Sequence, residues 1–465
     1  LVSISKNTEI GKLYDFKSIH NYRDFSQRIP VSNYEDYQDL IERSRKGEKN
    51  IFWPKPIKWF AKSSGTTNAK SKFIPVSLDS LEDCHYAAGK DLLCMYLNNN
   101  ENSRLFNGKN LRLGGSNELY EENGTIFGDL SAILIHNMPF WAELSSTPSN
   151  KVSLMSDWEY KMQAIVNETI NENVTSLAGV PSWMLVLLNN VLETSGNKTI
   201  LDVWPNLEVY FHGGVSFLPY VDQFKSIIPS KAVKYYEIYN ASEGFFAIQD
   251  RNKSDALLLM LDYGIFYEFI PMKTYGTDTE KIIPLSDVEK GGNYAIIVTT
   301  NAGLWRYKIG DTVTFTSTNP YRIKVTGRTK HFINVFGEEL IIDNTDKAVK
   351  IATKKTNSEI VDYTVAPIFM EGKSKGAHEW MIEFKTPPKD LHYFVELLDN
   401  SLKSLNSDYE AKRYNSITLR PPKIHVAQQG LFYKWMKRNN KLGGQHKVPR
   451  LSNSRQFLEE LLEIN

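Results

Sequence analysis

The 465 residues are 41% hydrophobic and 12% aromatic, enough to bury a large core, which excludes disorder for most of the chain. Lys and Arg number 55 against 54 Asp and Glu, a net charge of +1. That balance argues against a protein built mainly around nucleic acid, where phosphate neutralisation leaves a basic excess. Two cysteines, Cys84 and Cys94, are too few for a disulfide framework or a four-thiolate zinc site and read as thiols of a reducing compartment.

In chain order, residues 1–60 mix helical patterns with turns, and Trp53-Pro54-Lys55-Pro56 reads as a punctuated loop. Ile57 to Ala61 predicts a short strand entering a Ser/Gly/Thr loop, and residues 78–98 carry apolar positions near a helical period. Leu207 to Val215 predicts a strand ending in a glycine turn, and Val233 to Tyr239 a second strand that runs into Asn-Ala-Ser-Glu. Residues 257–270 and 294–300 are further strand candidates. Strands alternating with helical stretches predict an α/β fold. After Thr326 a smaller α+β unit follows, with elements around Trp380–Phe384 and Leu391–Leu405, so the expected division is 1–326 and 327–465. No run approaches the roughly 18 apolar residues of a membrane helix, and Leu1 to Asn7 lacks a signal-peptide layout. The expectation is a cytoplasmic protein with no membrane and no nucleic-acid partner, the natural start being open because Leu1 stands in place of Met.

Five stretches carry chemistry. Lys62-Ser63-Ser64-Gly65-Thr66-Thr67-Asn68-Ala69-Lys70-Ser71-Lys72 sets hydroxyls around a glycine and follows them with lysines, a loop suited to phosphate oxygens. It lacks the Walker spacing. Tyr239-Asn240-Ala241-Ser242-Glu243-Gly244 offers a ring face and a carboxylate for a magnesium ion. Trp305-Arg306-Tyr307-Lys308-Ile309-Gly310-Asp311 places an acid after glycine at an expected strand end, where it can accept from a ribose diol. Gly327-Arg328 sets a guanidinium at the expected unit boundary. Gly443-Gly444-Gln445-His446-Lys447-Val448-Pro449-Arg450 is a glycine-flexed loop presenting a lysine. Each stretch alone also reads as an ordinary solvated turn.

Taken in order, these stretches resemble the layout of adenylate-forming enzymes, the superfamily of acyl-CoA synthetases and luciferase. The finer resemblance is to the plant-type acyl acid–amido synthetases that conjugate auxin, jasmonate or benzoates to amino acids, and to their bacterial homologues. It rests on Ser63-Ser64-Gly65-Thr66-Thr67 without the Gly-x-Pro-Lys-Gly continuation, on Lys72-Phe73-Ile74-Pro75, and on Gln445-His446-Lys447-Val448-Pro449-Arg450. It extends from about residue 20 to about 452.

The resemblance implies an ATP- and magnesium-dependent ligase with a large N-terminal domain of β-sheets and helices and a smaller mobile C-terminal α+β domain. Such an enzyme adenylates a small carboxylic acid and passes the acyl group to an amino acid amine. Ser63, Ser64, Gly65, Thr66 and Thr67 would hold the β- and γ-phosphates with help from Lys72. Tyr239 would stack on adenine, Ser242 and Glu243 would face the phosphates, and Glu243 would bind magnesium. Gly213, Gly214 and Val215 match the glycine turn beside adenine and the acyl group. Asp311 would bind the ribose, Arg328 would sit near ribose or phosphate, and Lys447 would swing in to meet the α-phosphate and acyl carboxylate. Asn68 and Lys330 depart from the usual residues of loop and hinge. Phe140, Trp141, Trp183 and Phe217 are aromatic candidates for the acyl pocket or plain core. His136 and His212 are proton acceptors for the amine or structural histidines. Two other readings are a thiol-acceptor ligase using coenzyme A or a carrier protein, and a non-catalytic sensor that keeps the fold.

Overall fold

The computed structural model describes the chain apart from residues 64–71, 115–118, 156, 215–216, 218–219, 330–331, 334–337, 339, 370–375, 407–408, 411–412, 414–418, 440, 443–447 and 453. The side chains of Ser63, Trp141, Trp158, Glu159, Ser182 and Phe332 also lie outside the described set. Among the sequence candidates, Ser64, Gly65, Thr66, Thr67, Val215 and Lys447 therefore fall outside it, as does the side chain of Ser63.

Short helices fill the first residues, among them α1 (Tyr22–Arg28) and α2 (Tyr34–Arg45). The Asn21 side chain accepts from the Asp24 N–H and so caps α1. Strand β1 (Trp59–Ser63) pairs antiparallel with β2 (Lys72–Val76), Ser63 opposite Lys72, so both ends of the hydroxyl-rich segment are pinned at one point. The expected helix at 78–98 is present; a π-helical stretch, Leu81–Tyr86, leads into α3 (Ala87–Asn99).

Strand β3 (Lys109–Leu113) belongs to the main sheet, while β4 (Tyr120–Glu122) and β5 (Thr125–Gly128) return to β1. The main sheet continues with β6 (Ser146–Thr147), then α4 (Trp158–Thr169), β7 (Val174–Gly179), α5 (Pro181–Ser195), β8 (Val209–Gly213), α6 (Val221–Ile227) and β9 (Lys234–Ala241). These strands are parallel and ordered β6-β3-β7-β8-β9, the βαβ arrangement expected of alternating strands and helices. From β9 onward the sheet turns antiparallel through β10 (Gly244–Ile248), β11 (Leu257–Leu259), β12 (Ile265–Pro271), β13 (Ile283–Pro284), β14 (Asn293–Thr300), β15 (Tyr307–Thr318) and β16 (Tyr321–Arg328). The described residues give one twelve-stranded sheet, ordered β13-β12-β14-β15-β16-β11-β10-β9-β8-β7-β3-β6. The strand expected at 257–270 is two, divided by the turn Asp262-Tyr263-Gly264. The unit boundary expected after Thr326 falls inside β16, which stays paired with β15 through Arg328.

The smaller unit follows short strands β17 (Phe332–Ile333) and β18 (Leu340–Ile341). Its sheet joins β19 (Glu359–Ile368), β20 (Ala377–Thr386) and β21 (Lys423–Ala427). Helices α7 (Ile342–Thr356) and α8 (Leu391–Leu405) pack on one face through Val349, Phe394 and Leu398. Helices α9 (Leu431–Arg438) and α10 (Gln456–Leu462) pack on the other through Trp435 and Leu461. Residues Ala377 to Glu383 of β20 stay buried because helices cover both faces; Trp380, Met381 and Ile382 pack in the core, while the buried His378, Glu379 and Glu383 are paired with Glu338, Lys423 and the Gly430 N–H. Among the described residues no helix is long and apolar enough to cross a membrane.

Candidate active site

The carboxyl ends of the parallel strands open towards one edge of the sheet, where ligands of such folds bind. Strand β8 ends there at Gly213-Gly214. A Cβ on Gly213 would stand 2.5 Å from the Ile238 carbonyl, and Gly214 has a φ of 79°, so both positions need glycine. Beside this turn β9 and β10 form a hairpin closed by the pair Ala241–Gly244. Its two-residue tip is Ser242-Glu243. Ser242 is buried and Glu243 is half-buried, so Glu243 is the one the tip presents.

Asp311 is not at a strand end. It lies inside β15, where the ladder to β14 skips from Ala295–Thr312 to Ile297–Lys308 and bulges out Ile309-Gly310-Asp311. Gly310, at φ 84°, lets the strand continue through the bulge, a device that re-aims a side chain without ending the sheet. The bulge sets Asp311 opposite Arg328 on β16. Arg328 Nε donates to Asp311 Oδ1 at 2.8 Å, and the Tyr239 hydroxyl donates to Oδ2 at 2.7 Å. Tyr239 is only 7% exposed, with its ring tilted on Phe246 at 4.9 Å. The ring is covered on the side of Phe246, and the hydroxyl orients Asp311.

The charges of Lys72, Glu243, Asp311 and Arg328 act on one another. Burial raises the Glu243 carboxyl above its ordinary value; the Asp311 charge adds to this, while Arg328 and Lys72 oppose it. The Asp311 carboxylate, with Glu243 behind it, raises Arg328. Lys72 Nζ sits 5.3 Å from the centre of the Tyr34 ring, whose hydroxyl accepts from the Phe73 N–H at 2.9 Å. Tyr307 feels Glu243, Tyr34 and Arg328 and is raised chiefly by burial. Tyr34 and Tyr307 were given no role by the motifs. Tyr307 stands in a quoted stretch, but nothing local marks Tyr34, which reaches the site only through the fold. The half-buried Glu243, with a second carboxylate near it, is the donor chemistry a hard divalent cation takes.

The aromatic candidates divide. Trp183 and Phe217 belong to the core against β7 and β8, Phe140 is 73% exposed, and Trp141 lies outside the described side chains. His136 is exposed. His212 is buried, stacked on Phe217 at 4.2 Å, and burial pushes its pKa down to about 3. It is therefore too weak a base to take a proton from an amine near neutral pH. Buried His85, in the π-helical stretch, is pushed down to about 4. Both start from 6.5, so the folded chain refuses protons that the unfolded chain accepts. Their contribution to stability is complete above about pH 6.5 and is lost as pH falls towards 4 and then 3, at about 1.4 kcal/mol per pH unit for each histidine. The urea midpoint is expected to drop between pH 7 and 5, and His212→Gln to flatten that drop. An unchanged pH dependence in the variant would refute the assignment.

The chain matches the GH3 family N-terminal domain over residues 1–233, the GH3 family central domain over 258–328 and the GH3 family C-terminal domain over 343–456. It is 22% identical to indole-3-acetic acid-amido synthetase GH3.4 of Arabidopsis thaliana, with 97% of this chain and 87% of that protein aligned. The fold is that of the GH3.15 acyl acid amido synthetase, with a TM-score of 0.82 at 18% identity over 99% of this chain and 91% of that one. A 2-hydroxyisobutyryl-CoA ligase in its postadenylation state, in complex with R3-HIB-AMP, superposes with a TM-score of 0.58 at 12% identity over 97% and 86% of the two chains. With the three family domains in order along the chain, and the first alone spanning half of it, this protein belongs to the GH3 family of acyl acid–amido synthetases, ATP-dependent ligases of the adenylate-forming kind.

Proposed function

We propose that this chain adenylates a small carboxylic acid with ATP and joins the acyl group to the amine of an amino acid. The observation that supports this most is the meeting of Glu243 and Asp311 with Lys72 and Arg328 beside the turn Gly213-Gly214. Alternating charge of this kind suits a nucleotide whose phosphates and ribose need opposite treatment.

In the first half-reaction a carboxylate oxygen attacks the α-phosphorus, the bond to the bridging oxygen breaks, and pyrophosphate leaves. Both reactants are anions, so the barrier is largely electrostatic. Ser63, Ser64, Gly65, Thr66 and Thr67 hold the β- and γ-phosphates, and Lys72 neutralises them. Glu243 holds magnesium, which when bound supplies charge neutralisation at the phosphates. Asp311, oriented by Tyr239 and Arg328, accepts from the ribose hydroxyls through its remaining lone pairs. Lys447 meets the α-phosphate and the carboxylate. In the second half-reaction the amine attacks the acyl carbon, AMP leaves with the bonding pair, and the amine gives up a proton. The unit beyond β16 moves between the two steps, with Gly327-Arg328 leading into its hinge.

Pyrophosphate exchange into ATP, with magnesium and a panel of aryl, indolyl and fatty acids, tests the first half-reaction. Exchange is expected with one acid class, followed by amide formation with an amino acid and no thioester with coenzyme A. A thioester product would replace the amine acceptor with a thiol. ATP binding without exchange on any acid would favour the sensor.

A further inference from the structure

Strand β3 reaches the carboxyl edge of the sheet two strands away from the turn Gly213-Gly214. Its Arg112 is level with Ala178 on β7, and Ala178 is level with Phe211 on β8. The two steps across the sheet come to about 10 Å. Leu111 and Leu113 enter the core shared with α4 and α5. Alternation therefore turns Arg112 to the opposite face, where Ala178 and Phe211 pack with Leu130 and Ile133 of the helix Leu130–His136.

Arg112 is 9% exposed and differs from the other buried arginines. Arg306, Arg322 and Arg413 each lay two N–H groups on one carboxylate, that of Glu268, Asp250 and Asp399 respectively. Arg112 has no carboxylate on it among the described residues. Its Nη2 donates to Asn150 Oδ1, its Nη1 meets the Met138 sulfur, a weak acceptor, and its Nε is buried with no partner. The exposed Glu143 stands behind Asn150, whose Nδ2 donates to it at 2.5 Å. Burial lowers the guanidinium pKa and Glu143 opposes this, but an arginine stays charged near neutral pH, so the charge and the open donors persist. A second buried cation joins it. Lys161 Nζ donates to the carbonyls of Ser153 at 2.6 Å and Gly114 at 3.4 Å, three residues beyond Asn150 and two beyond Arg112.

A buried guanidinium with an unused edge calls for an anion. Tyr239, Glu243 and Asp311 lie on β9, β15 and the hairpin tip, across β8 from Arg112, so the ribose is not that anion. The carboxylate of an amino acid is two bonds from its attacking nitrogen and stays close to the reacting carbon. The acid substrate extends away from its reacting carboxylate, and its far end is the part able to reach β3.

We propose that Arg112 binds an anionic group at the far end of the acyl acid, so that the acid this chain adenylates is a dicarboxylate or an acid with a comparable second anion. This rests on the adenylation reading above and names the substrate class of that site.

The test compares matched acids on the full chain: octanoate with suberate, and benzoate with terephthalate. In pyrophosphate exchange the parent is expected to favour the dianion of a pair by at least about tenfold in kcat/KM, since a site built for a polar group rejects the analogue lacking it. In Arg112→Met that ratio is expected to fall at least about tenfold. Arg112→Lys keeps a charge but loses the planar fork, and an intermediate ratio is expected. Thermal denaturation supplies a readout apart from activity: without ATP, millimolar suberate or terephthalate is expected to raise the Tm of the parent, and octanoate or benzoate to raise it less. A parent that favours the monoanions and whose Tm no dianion raises would overturn the proposal with no variant needed. So would a folded Arg112→Met that keeps the parent's ratio. If no acid supports exchange, yet a dianion raises the Tm of the parent and not of Arg112→Met, the anion site stands and the adenylation reading falls.

Discussion

Asp311→Ala is expected to lower pyrophosphate exchange by about a hundredfold to a thousandfold, the scale of losing an oriented contact at the reacting nucleotide. Three effects add in one direction. The ribose loses its acceptor. Tyr239, buried and donating to Oδ2, is left without a partner for its hydroxyl. Arg328 loses the carboxylate that fixes its guanidinium and is free to draw phosphate out of line. The bulge at Ile309-Gly310-Asp311 is a backbone feature and survives the change, so the fold should persist and the loss should appear in activity. Tyr239→Phe is the control, since it removes one donor and leaves the carboxylate in place. A loss of a few-fold is expected there, close to the worth of a single hydrogen bond. Exchange in Asp311→Ala within about threefold of the parent, too small for a lost nucleotide contact, would remove Asp311 from the site.

The strands at 209–213, 234–241, 293–300 and 377–386 were legible because aromatic and β-branched runs end at glycine or turn residues. The helix at Leu391–Leu405 showed itself by its apolar face. The order of the antiparallel half was not legible. Strand β11 lies between β10 and β16, and its pairing with β16 is decided by packing between residues more than sixty positions apart. The site divides in the same way. Residue types at Glu243, Asp311 and Arg328 declared themselves through their motifs, whereas what each side chain touches did not. Asp311 looked like a strand end because Gly precedes it, and only the ladder to β14 reveals the bulge. The contacts of Tyr239 with Phe246 and with the distant Asp311 are likewise absent from its motif. Tyr34 reaches Lys72 from a helix 38 positions earlier, and no local pattern encodes that contact.

The motif that supplies Asp311 also contains Arg306, and its environment makes the larger stability prediction. Arg306 is held at a φ of 45°, uncommon for a residue other than glycine. Its side chain is 4% exposed and that of Glu268 1%. Nε and Nη2 donate to the two Glu268 oxygens at 2.8 Å each, and Nη1 donates to the carbonyls of Ser26 and Ile29 at 2.8 and 2.7 Å. Tyr22 adds a donor to Glu268 at 2.9 Å. One ion pair thus ties α1 to β12 and β15, five positions before Asp311. Glu268→Ala leaves a buried guanidinium without a counter-charge, at an expected cost of about 3–5 kcal/mol. Urea midpoints measure this directly. Desolvation sets the reference: a buried pair need not be net stabilising, although breaking it on one side is costly. Joint replacement by Glu268→Leu and Arg306→Met should therefore recover much of the loss, since it removes the orphaned charge together with its partner. A joint variant no more stable than Glu268→Ala would mean that the carbonyls of Ser26 and Ile29, and not Glu268, are what Arg306 is there to satisfy.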